Sequence, residues 1–215
     1  KTIPDMYKAD WGNARDGKED PTKGLVFVKY LSDIAKEEDW EDTKVAVLLP
    51  MSAAIGTKSV IKNMKTALLD NNTLEAVFSL PADVFYPGAA VQTVCMLFTL
   101  NKSHFGSDGK PNKKTFFGYY KNDGFVKKKN LGRVEQSDSE GHSLWTSIER
   151  EWLNLFKNKT VKTGMSSMMD VDGNKEWLCE AYMLTDYSTL TEDDFQKTLN
   201  YYFSYLIKEG KTDET

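Results

Sequence analysis

Two adjacent aromatic residues in a predicted turn could contact a flat ligand. Phe85 and Tyr86 precede Pro87 and Gly88 within the stretch LPADVFYPGAAVQTVCMLFTL, residues 80–100. Aromatic rings at a surface can stack on nucleic-acid bases, while Pro and Gly are typical of a stiff, tight turn. The residues alone leave two interpretations open. Either a ring contacts a ligand, or Phe85 packs beneath the loop and Tyr86 is merely exposed.

A cluster of basic residues downstream could bind phosphate. Residues 102–133 contain nine Lys or Arg and two Asp, a net charge of +7, within a chain whose net charge is −4. The negative net charge of the whole chain argues against a general nucleic-acid binder, but a local cluster of positive charges can contact a phosphate backbone. The alternative is a solvated, lysine-rich hairpin. The candidates for backbone contacts are Lys113, Lys114, Lys121, Lys127, Lys128, Lys129 and Arg133.

The cysteines and histidines do not have the spacing of a metal site. Cys95 and Cys179 have apolar neighbours, which predicts buried, reduced thiols. His104 and His142 lie in polar segments without a ligand partner at a useful offset. No apolar run reaches the roughly 18 residues needed to span a bilayer. We therefore expect a cytoplasmic protein with neither a metal nor a membrane partner.

The elements that must position these residues follow from the apolar spacing. Residues 22–38 and 57–72 repeat apolar side chains at spacings of three and four, which predicts amphipathic helices. Residues 43–50, 74–81 and 91–100 predict strands, and the first is apolar enough to be buried on both faces of a parallel sheet. The helix between the first two strands predicts a parallel crossover. The short connection between the last two predicts antiparallel pairing.

The second half of the chain predicts mainly helices. A further strand is predicted within residues 113–125, and a loop or short helix over residues 126–141. Residues 143–158 and 191–207 each place aromatic and aliphatic side chains on one helical face. The predicted domains are an α/β domain, residues 1–133, and a mostly helical extension, residues 134–215.

Several short motifs in this order resemble one enzyme family. They are similar to motifs in the modification subunits of type I restriction-modification systems and their BcgI-like relatives, which are DNA N6-adenine methyltransferases. The resemblance covers residues 22–205. It implies the C-terminal half of a Rossmann-like methyltransferase sheet, with parallel strands and an antiparallel edge hairpin whose last strand inserts between the preceding two. The motifs are Leu49-Pro50, Leu68-Leu69, Leu74 to Val77, Leu80-Pro81, Phe85-Tyr86, Gly88 and Leu100 to Lys102.

Two motifs of the resembled family have no counterpart in this chain. The sequence has neither a Pro-Pro dipeptide nor a Gly-rich turn after a first strand, and it begins at Lys1 without an initiator Met. The resemblance therefore implies a fragment. S-adenosylmethionine and the catalytic Asn-Pro-Pro-aromatic motif would belong to the upstream part of the intact parent protein. No cofactor and no catalytic residue are expected in this fragment, which alone would be inactive.

The resemblance also implies a role for the aromatic loop. Methylation of adenine N6 requires the base to be flipped out of the duplex. In this family, this loop is expected to form one wall of the pocket that holds the flipped base, so that Phe85 or Tyr86 would face the base. Pro87 would stiffen the loop, and Gly88 would permit its tight turn.

Further expectations concern a neighbouring loop and the partners. Ser52 and Gly56 follow the first strand in a predicted loop, where they either line the ligand edge of the sheet or form an ordinary connection. The implied partners are DNA and a specificity subunit, with a restriction subunit as a further candidate. The alternative function is a non-catalytic interaction module, in which the aromatic helices at 143–158 and 191–207 dock the specificity subunit.

Overall fold

The described part of the chain contains both helices and strands. The computed structural model describes residues 20–89, 91–188 and 190–210. Its helices are α1 (Leu25–Glu37), α2 (Met51–Ile55), α3 (Ser59–Asn71), α4 (Leu144–Asn158) and α5 (Glu192–Lys208), with a short 3-10 helix at Cys179–Ala181. Its strands are β1 (Lys44–Pro50), β2 (Thr73–Ser79), β3 (Thr93–Thr99), β4 (Thr115–Tyr119), β5 (Phe125–Lys128), β6 (Gly132–Glu135) and β7 (Ser166–Met169).

The two predicted amphipathic helices form as α1 and α3. Each buries one apolar face, which is the main source of stability for a helix of this length. At the start of α1 the carboxylate of Asp20 accepts the backbone N–H of Thr22 at 2.7 Å and that of Gly24 at 2.7 Å. The buried apolar residues are Leu25, Val26, Val28 and Ala35 of α1 and Ile61, Leu68 and Leu69 of α3.

β3 lies between β1 and β2 in a five-stranded sheet of order β1-β3-β2-β4-β7. It pairs antiparallel with both neighbours, placing Leu49 of β1 and Ser79 of β2 opposite Val94. β1 and β2 therefore point the same way, and α3 connects them. This confirms the predicted α/β class, the parallel crossover and the antiparallel strand inserted between its two predecessors.

Two details of the sheet differ from the prediction. The β2–β3 hairpin lies inside the sheet and not at its edge, because β4 pairs parallel with β2 and β7 pairs antiparallel with β4. β1 is one of the two edge strands, and in it only Leu49 is buried while Leu48 is 53% exposed. The expectation that this strand is buried on both faces is therefore wrong. The apolar composition of a strand shows that its side chains could be buried, but whether they are buried depends on the elements that pack against the strand.

A two-stranded hairpin occupies part of the segment predicted to be a loop or short helix, residues 126–141. β5 and β6 pair antiparallel, and positive φ values occur at Asn130 in the connecting turn (65°) and at Gly132, the first residue of β6 (79°). The prediction failed because strands of four residues carry too little alternation to be recognised. β7 also adds a strand within the part predicted to be mostly helical.

Side chains at alternate positions of the sheet form two cores. Val77 of β2 joins the core under α1 and α3, whereas the adjacent Phe78 faces α4. The predicted aromatic face of α4 packs there. Its Trp152 ring stacks on Tyr120 with centroids 4.3 Å apart, and its Phe156 ring lies 5.3 Å from Phe78. Both faces of the central strands are thus covered.

The chain divides into two compact units, Lys1–Leu184 and Thr185–Thr215. The second unit contains α5, which begins with a capping box formed by Thr191 and Asp194. The predicted division at residues 133/134 falls within β6 of the first unit, and it stays a prediction. The outer ends of the predicted domains, residues 1–19 and 211–215, lie outside the described residues. Within the described ranges, no helix is long and apolar enough to cross a membrane.

Candidate functional site

The loop between β2 and β3 holds Phe85 and Tyr86 at the surface. Backbone hydrogen bonds close it, since the N–H of Tyr86 donates to the carbonyl of Asp83 at 2.9 Å and that of Ala89 to Phe85 at 3.0 Å. Phe85 is 43% exposed and Tyr86 36% exposed. The interpretation in which Phe85 packs beneath the loop is therefore wrong. Both rings are accessible at the carboxyl end of β2.

Pro87 and Gly88 follow the two aromatic residues in this loop. The Tyr86–Pro87 peptide bond is cis. Gly88 is not among the residues with positive φ, and a Cβ built on it would meet only the carbonyl oxygen of Phe85 at 3.4 Å. A side chain could therefore be accommodated at this position. The role of Gly88 in permitting the tight turn stays a prediction.

The predicted loop that contains Ser52 and Gly56 is largely a helix, α2. It starts directly after β1, where the N–H of Met51 donates to the carbonyl of Gln92 at 2.9 Å. Ser52 is exposed. A Cβ on Gly56 would lie 2.2 Å from Cδ1 of Ile61. Glycine at this position therefore permits close packing against α3, and Ser52 stays a candidate for the ligand edge.

The β5–β6 hairpin contacts the aromatic loop at two points. Nζ of Lys127 lies 5.2 Å from the centre of the Tyr86 ring, within the range of a cation–π contact. Nη2 of Arg133 lies 3.3 Å from a carboxylate oxygen of Asp83 and 2.7 Å from one of Asp123. Hydrogen bonds with Asp123 raise the pKa of the Arg133 guanidinium. Neither aspartate was predicted to pair with Arg133, because the Asn-Asp-Gly turn at Asp123 indicates a chain reversal but not an ion pair.

Two more of the predicted basic residues are engaged in ion pairs. Nζ of Lys113 lies 2.6 Å from the Glu75 carboxylate. Burial tends to raise the pKa of Glu75, but hydrogen bonds from Lys113 and Thr99 outweigh it and hold the pKa below its usual value. Nζ of Lys121 lies 2.7 Å from Glu180 of the 3-10 helix. These two lysines are therefore partly neutralised.

The remaining candidates lie at opposite ends of β4. Lys114 precedes this strand, whereas Lys128 and Lys129 lie in the hairpin that follows it; all three are exposed. Five strand residues at about 3.3 Å each separate the two ends by about 16 Å. Because β4 runs parallel to β2, the hairpin and the aromatic loop share the carboxyl end of the sheet, and Lys114 lies at the other end.

The cysteines and histidines behave as structural residues. Burial raises the pKa of Cys95, which is half-buried, and raises that of the buried Cys179 to about 12. His104 is fully buried, while His142 is exposed beside Asp138. Among residues 20–89, 91–188 and 190–210, no group of three His, Cys, Asp or Glu side chains could hold a metal ion.

A mostly apolar groove of about 330 Å³ opens beside β1. Leu48, Cys95, Tyr120 and Trp152 contribute to its walls, and Glu149 is the one carboxylate among the described residues that line it. S-adenosylmethionine, the cofactor implied by the resemblance, carries a ribose and an ammonium–carboxylate pair that need several polar partners when buried. The residues of this groove do not fit that group.

The inserted antiparallel strand and the loop at the carboxyl end of β2 define an α/β unit of the methyltransferase type. The chain belongs to the N-6 DNA methylase family, whose model matches residues 18–172. This confirms the family inferred from the sequence motifs.

Individual relatives show how much of a whole protein this chain represents. It is 27% identical over 193 residues to the type II restriction enzyme and methyltransferase RM.BcgI of Heyndrickxia coagulans, a match that covers 87% of this chain and 28% of that protein. The chain therefore spans less than a third of the length of this relative.

Two solved structures are also similar to the chain. One is the methyltransferase subunit of a type I restriction-modification system from Streptococcus thermophilus, at a TM-score of 0.46 and 15% identity over 65% of this chain and 26% of that one. The other is a modification subunit of a putative type I restriction enzyme from Vibrio vulnificus YJ016, at a TM-score of 0.43 and 14% identity over 75% and 34% of the two chains.

Proposed function

We propose that this chain forms the target-base side of a DNA adenine-N6 methyltransferase of a restriction-modification system. The observation that carries the proposal is the exposed pair Phe85 and Tyr86 at the carboxyl end of β2. In open α/β sheets, ligands bind at the carboxyl ends of the strands. Membership of the N-6 DNA methylase family supplies the reaction class.

The chemistry explains why an exposed aromatic ring is useful there. The N6 amino group lies inside the duplex, so the base must be extruded at a cost of a few kcal/mol. Stacking on an aromatic side chain returns about 1–3 kcal/mol per base. Tyr86 already carries the Lys127 ammonium over its ring. We therefore assign the stacking role to Phe85 and a supporting role to Tyr86.

We further propose that the intact enzyme is larger than this chain. The match to RM.BcgI covers 28% of that protein, and the groove beside β1 does not suit S-adenosylmethionine. We assign cofactor binding and the catalytic motif to other parts of the parent protein. Calorimetric titration of this chain with S-adenosylmethionine is expected to show no binding, and a clear binding isotherm would contradict the assignment.

The stacking role is tested with Phe85→Ala in the full-length protein. We expect a decrease of about fivefold to 150-fold in methyl transfer, because about 1–3 kcal/mol of stacking is lost. Extrusion of the base, followed by 2-aminopurine fluorescence at the target adenine, should decrease in parallel. Phe27→Ala is the matched control, since Phe27 is an exposed phenylalanine of α1. Unchanged extrusion and transfer in both Phe85→Ala and Tyr86→Ala would refute the proposal.

We also propose that Lys128 and Lys129 contact the DNA backbone. They are exposed, and they share the carboxyl end of the sheet with the aromatic loop. Lys128→Gln with Lys129→Gln should reduce the slope of log affinity against log salt by about 1.8, or 0.9 per lost phosphate contact. Lys114→Gln is the matched control, because Lys114 precedes β4. Equal slopes for the double variant and wild type would exclude the contact.

A second candidate function is docking of a DNA-specificity subunit. α5 has no buried residue and carries several exposed aromatic side chains, and it belongs to the second compact unit. Deletion of residues 185–215 from the full-length protein tests this function. Truncation near residue 140 would not serve, because it removes β7 and the core helix α4. Loss of subunit assembly with an unchanged melting temperature supports docking, and retained assembly excludes it.

A further inference from the structure

Arg133 connects two carboxylates that belong to separate parts of the chain. Its Nη1 donates to Oδ2 of Asp123 at 2.8 Å, and its Nη2 donates to Oδ1 at 2.7 Å. The same Nη2 lies 3.3 Å from Oδ1 of Asp83. Asp123 precedes β5, Arg133 lies in β6 and Asp83 lies in the aromatic loop. One guanidinium therefore ties the hairpin to the loop.

The burial and geometry of this bridge make it specific. The Arg133 side chain is 13% exposed, and its Cζ lies 5.3 Å from the centre of the Phe125 ring. Paired, charge-assisted hydrogen bonds to a planar guanidinium fix orientation as well as distance. A lysine cannot reproduce the fork. Nε of Arg133 has no hydrogen-bond partner among the described residues. The carboxylates therefore set the position of the guanidinium.

The contact of Lys127 with Tyr86 completes the attachment of the loop. Asp83 lies two residues before Phe85 and Tyr86 one residue after it, and each contacts a cationic side chain of the hairpin. The segment that carries Phe85 is thus held on both sides, while the Phe85 ring stays exposed. This is the arrangement expected of a side chain whose backbone is preorganised for a ligand.

We infer that Arg133 is a positioning residue for the base-contacting loop, and that it acts through Asp83. The inference rests on the proposed function, because it assigns a purpose to the placement of Phe85. Arg133 does not itself contact the base. Its Nη atoms face carboxylates of the protein, so this role takes the place of the DNA-backbone contact predicted for Arg133 from the sequence.

Asp83→Asn and Arg133→Lys in the full-length protein test the inference. Asp83→Asn leaves the Arg133–Asp123 pair and the hairpin intact, so it remains informative if Arg133→Lys fails to fold. We expect target-base extrusion and methyl transfer at saturating DNA to decrease about tenfold or more in both variants, since small displacements of reacting groups can cost up to about a hundredfold. The Kd for DNA should change less than about twofold. Lys162→Gln is the control, because its ion pair with Glu151 lies outside the loop.

Two results would overturn the inference, and a third would overturn the proposed role of Phe85 on which it rests. Unchanged extrusion and transfer in Asp83→Asn, whatever its melting temperature, would show that the bridge supports only folding. A weaker Kd for DNA with a reduced salt slope in Arg133→Lys, without an effect of Asp83→Asn, would return Arg133 to the DNA backbone. An Asp83→Asn effect without any Phe85→Ala effect would instead remove the proposed role of Phe85, because the loop would then matter for another reason.

Discussion

A buried lysine gives the chain a measurable dependence of stability on alkaline pH. Lys65 of α3 is 1% exposed. Its ammonium donates to the carbonyl oxygens of Ala54 and Lys175, the latter at 3.2 Å, and lies 5.0 Å from the centre of the Trp177 ring. It therefore joins α2 and α3 to the segment before the 3-10 helix. These contacts only partly replace the water that an ammonium group loses on burial.

Burial lowers the pKa of Lys65 from 10.5 to about 8, although the nearby Glu176 carboxylate acts in the opposite direction. Between these two values the unfolded chain binds a proton that the folded chain has released. Stability therefore rises with pH through this window. At about 1.4 kcal/mol per pKa unit, the contribution of Lys65 improves by about 2 kcal/mol between about pH 7 and pH 9.5.

Lys65→Met removes this titration while keeping a long side chain. At pH 7 its net effect is small, because relief from burying a charge offsets the loss of two hydrogen bonds and one cation–π contact. Urea denaturation of both chains should show wild type gaining about 2 kcal/mol over the variant from about pH 7 to pH 9.5. The exposed Lys36→Met provides the control. A wild-type-minus-variant difference that is constant over this range would show that Lys65 stays charged in the fold, contrary to this reasoning.

Three further predictions concern stability. His104 is buried, and neither ring nitrogen has a hydrogen-bond partner among the described residues. Burial lowers the pKa of His104, so the wild-type protein should lose stability as the pH falls from about 7 to 5. Urea denaturation should show a smaller loss over this range for His104→Phe, which has no group to titrate at this position. A Cβ on Gly173 would lie 2.0 Å from Oγ1 of Thr66, so Gly173→Ala should lower the unfolding free energy by about 1–3 kcal/mol, whereas Gly88→Ala should not. Tyr120→Phe removes the hydrogen bond to the Trp152 carbonyl at 2.9 Å and should cost about 0.5–1.5 kcal/mol in the same assay.

Long periodic segments of the sequence predict their elements well. The apolar spacing in residues 143–158 predicts one aromatic face of α4, and the structure packs Trp152 and Phe156 of that face into a core. A packed helix requires only that apolar side chains recur on one of its faces, and this spacing can be recognised within a short stretch of sequence. The order of strands is different, because it depends on pairing between distant segments. It could be inferred only from the resemblance to a family.

The ion pair between Arg133 of the hairpin and Asp83 of the aromatic loop could not be predicted, because it too depends on contact between distant segments. Arg133 looks like one more cation of a basic stretch, and Asp83 like an ordinary turn residue. Their ion pair joins positions fifty residues apart in the sequence. Neither short strand of the hairpin is long enough to fix the register that brings them together.

Charges that are continuous in the sequence need not form one surface. The stretch that contains Lys113 and Lys129 is interrupted by β4, which carries the chain about 16 Å across the sheet. Lys113, near one end of this stretch, forms an ion pair with Glu75, and Lys127, near the other end, contacts the Tyr86 ring. A variant in which every lysine of this stretch is neutralised would lose a local salt bridge, an exposed positive patch and the support of the aromatic loop at the same time. Its measured effect could not be divided among these three contributions. Substitutions grouped by strand end separate these contributions, because each group then changes a single set of contacts.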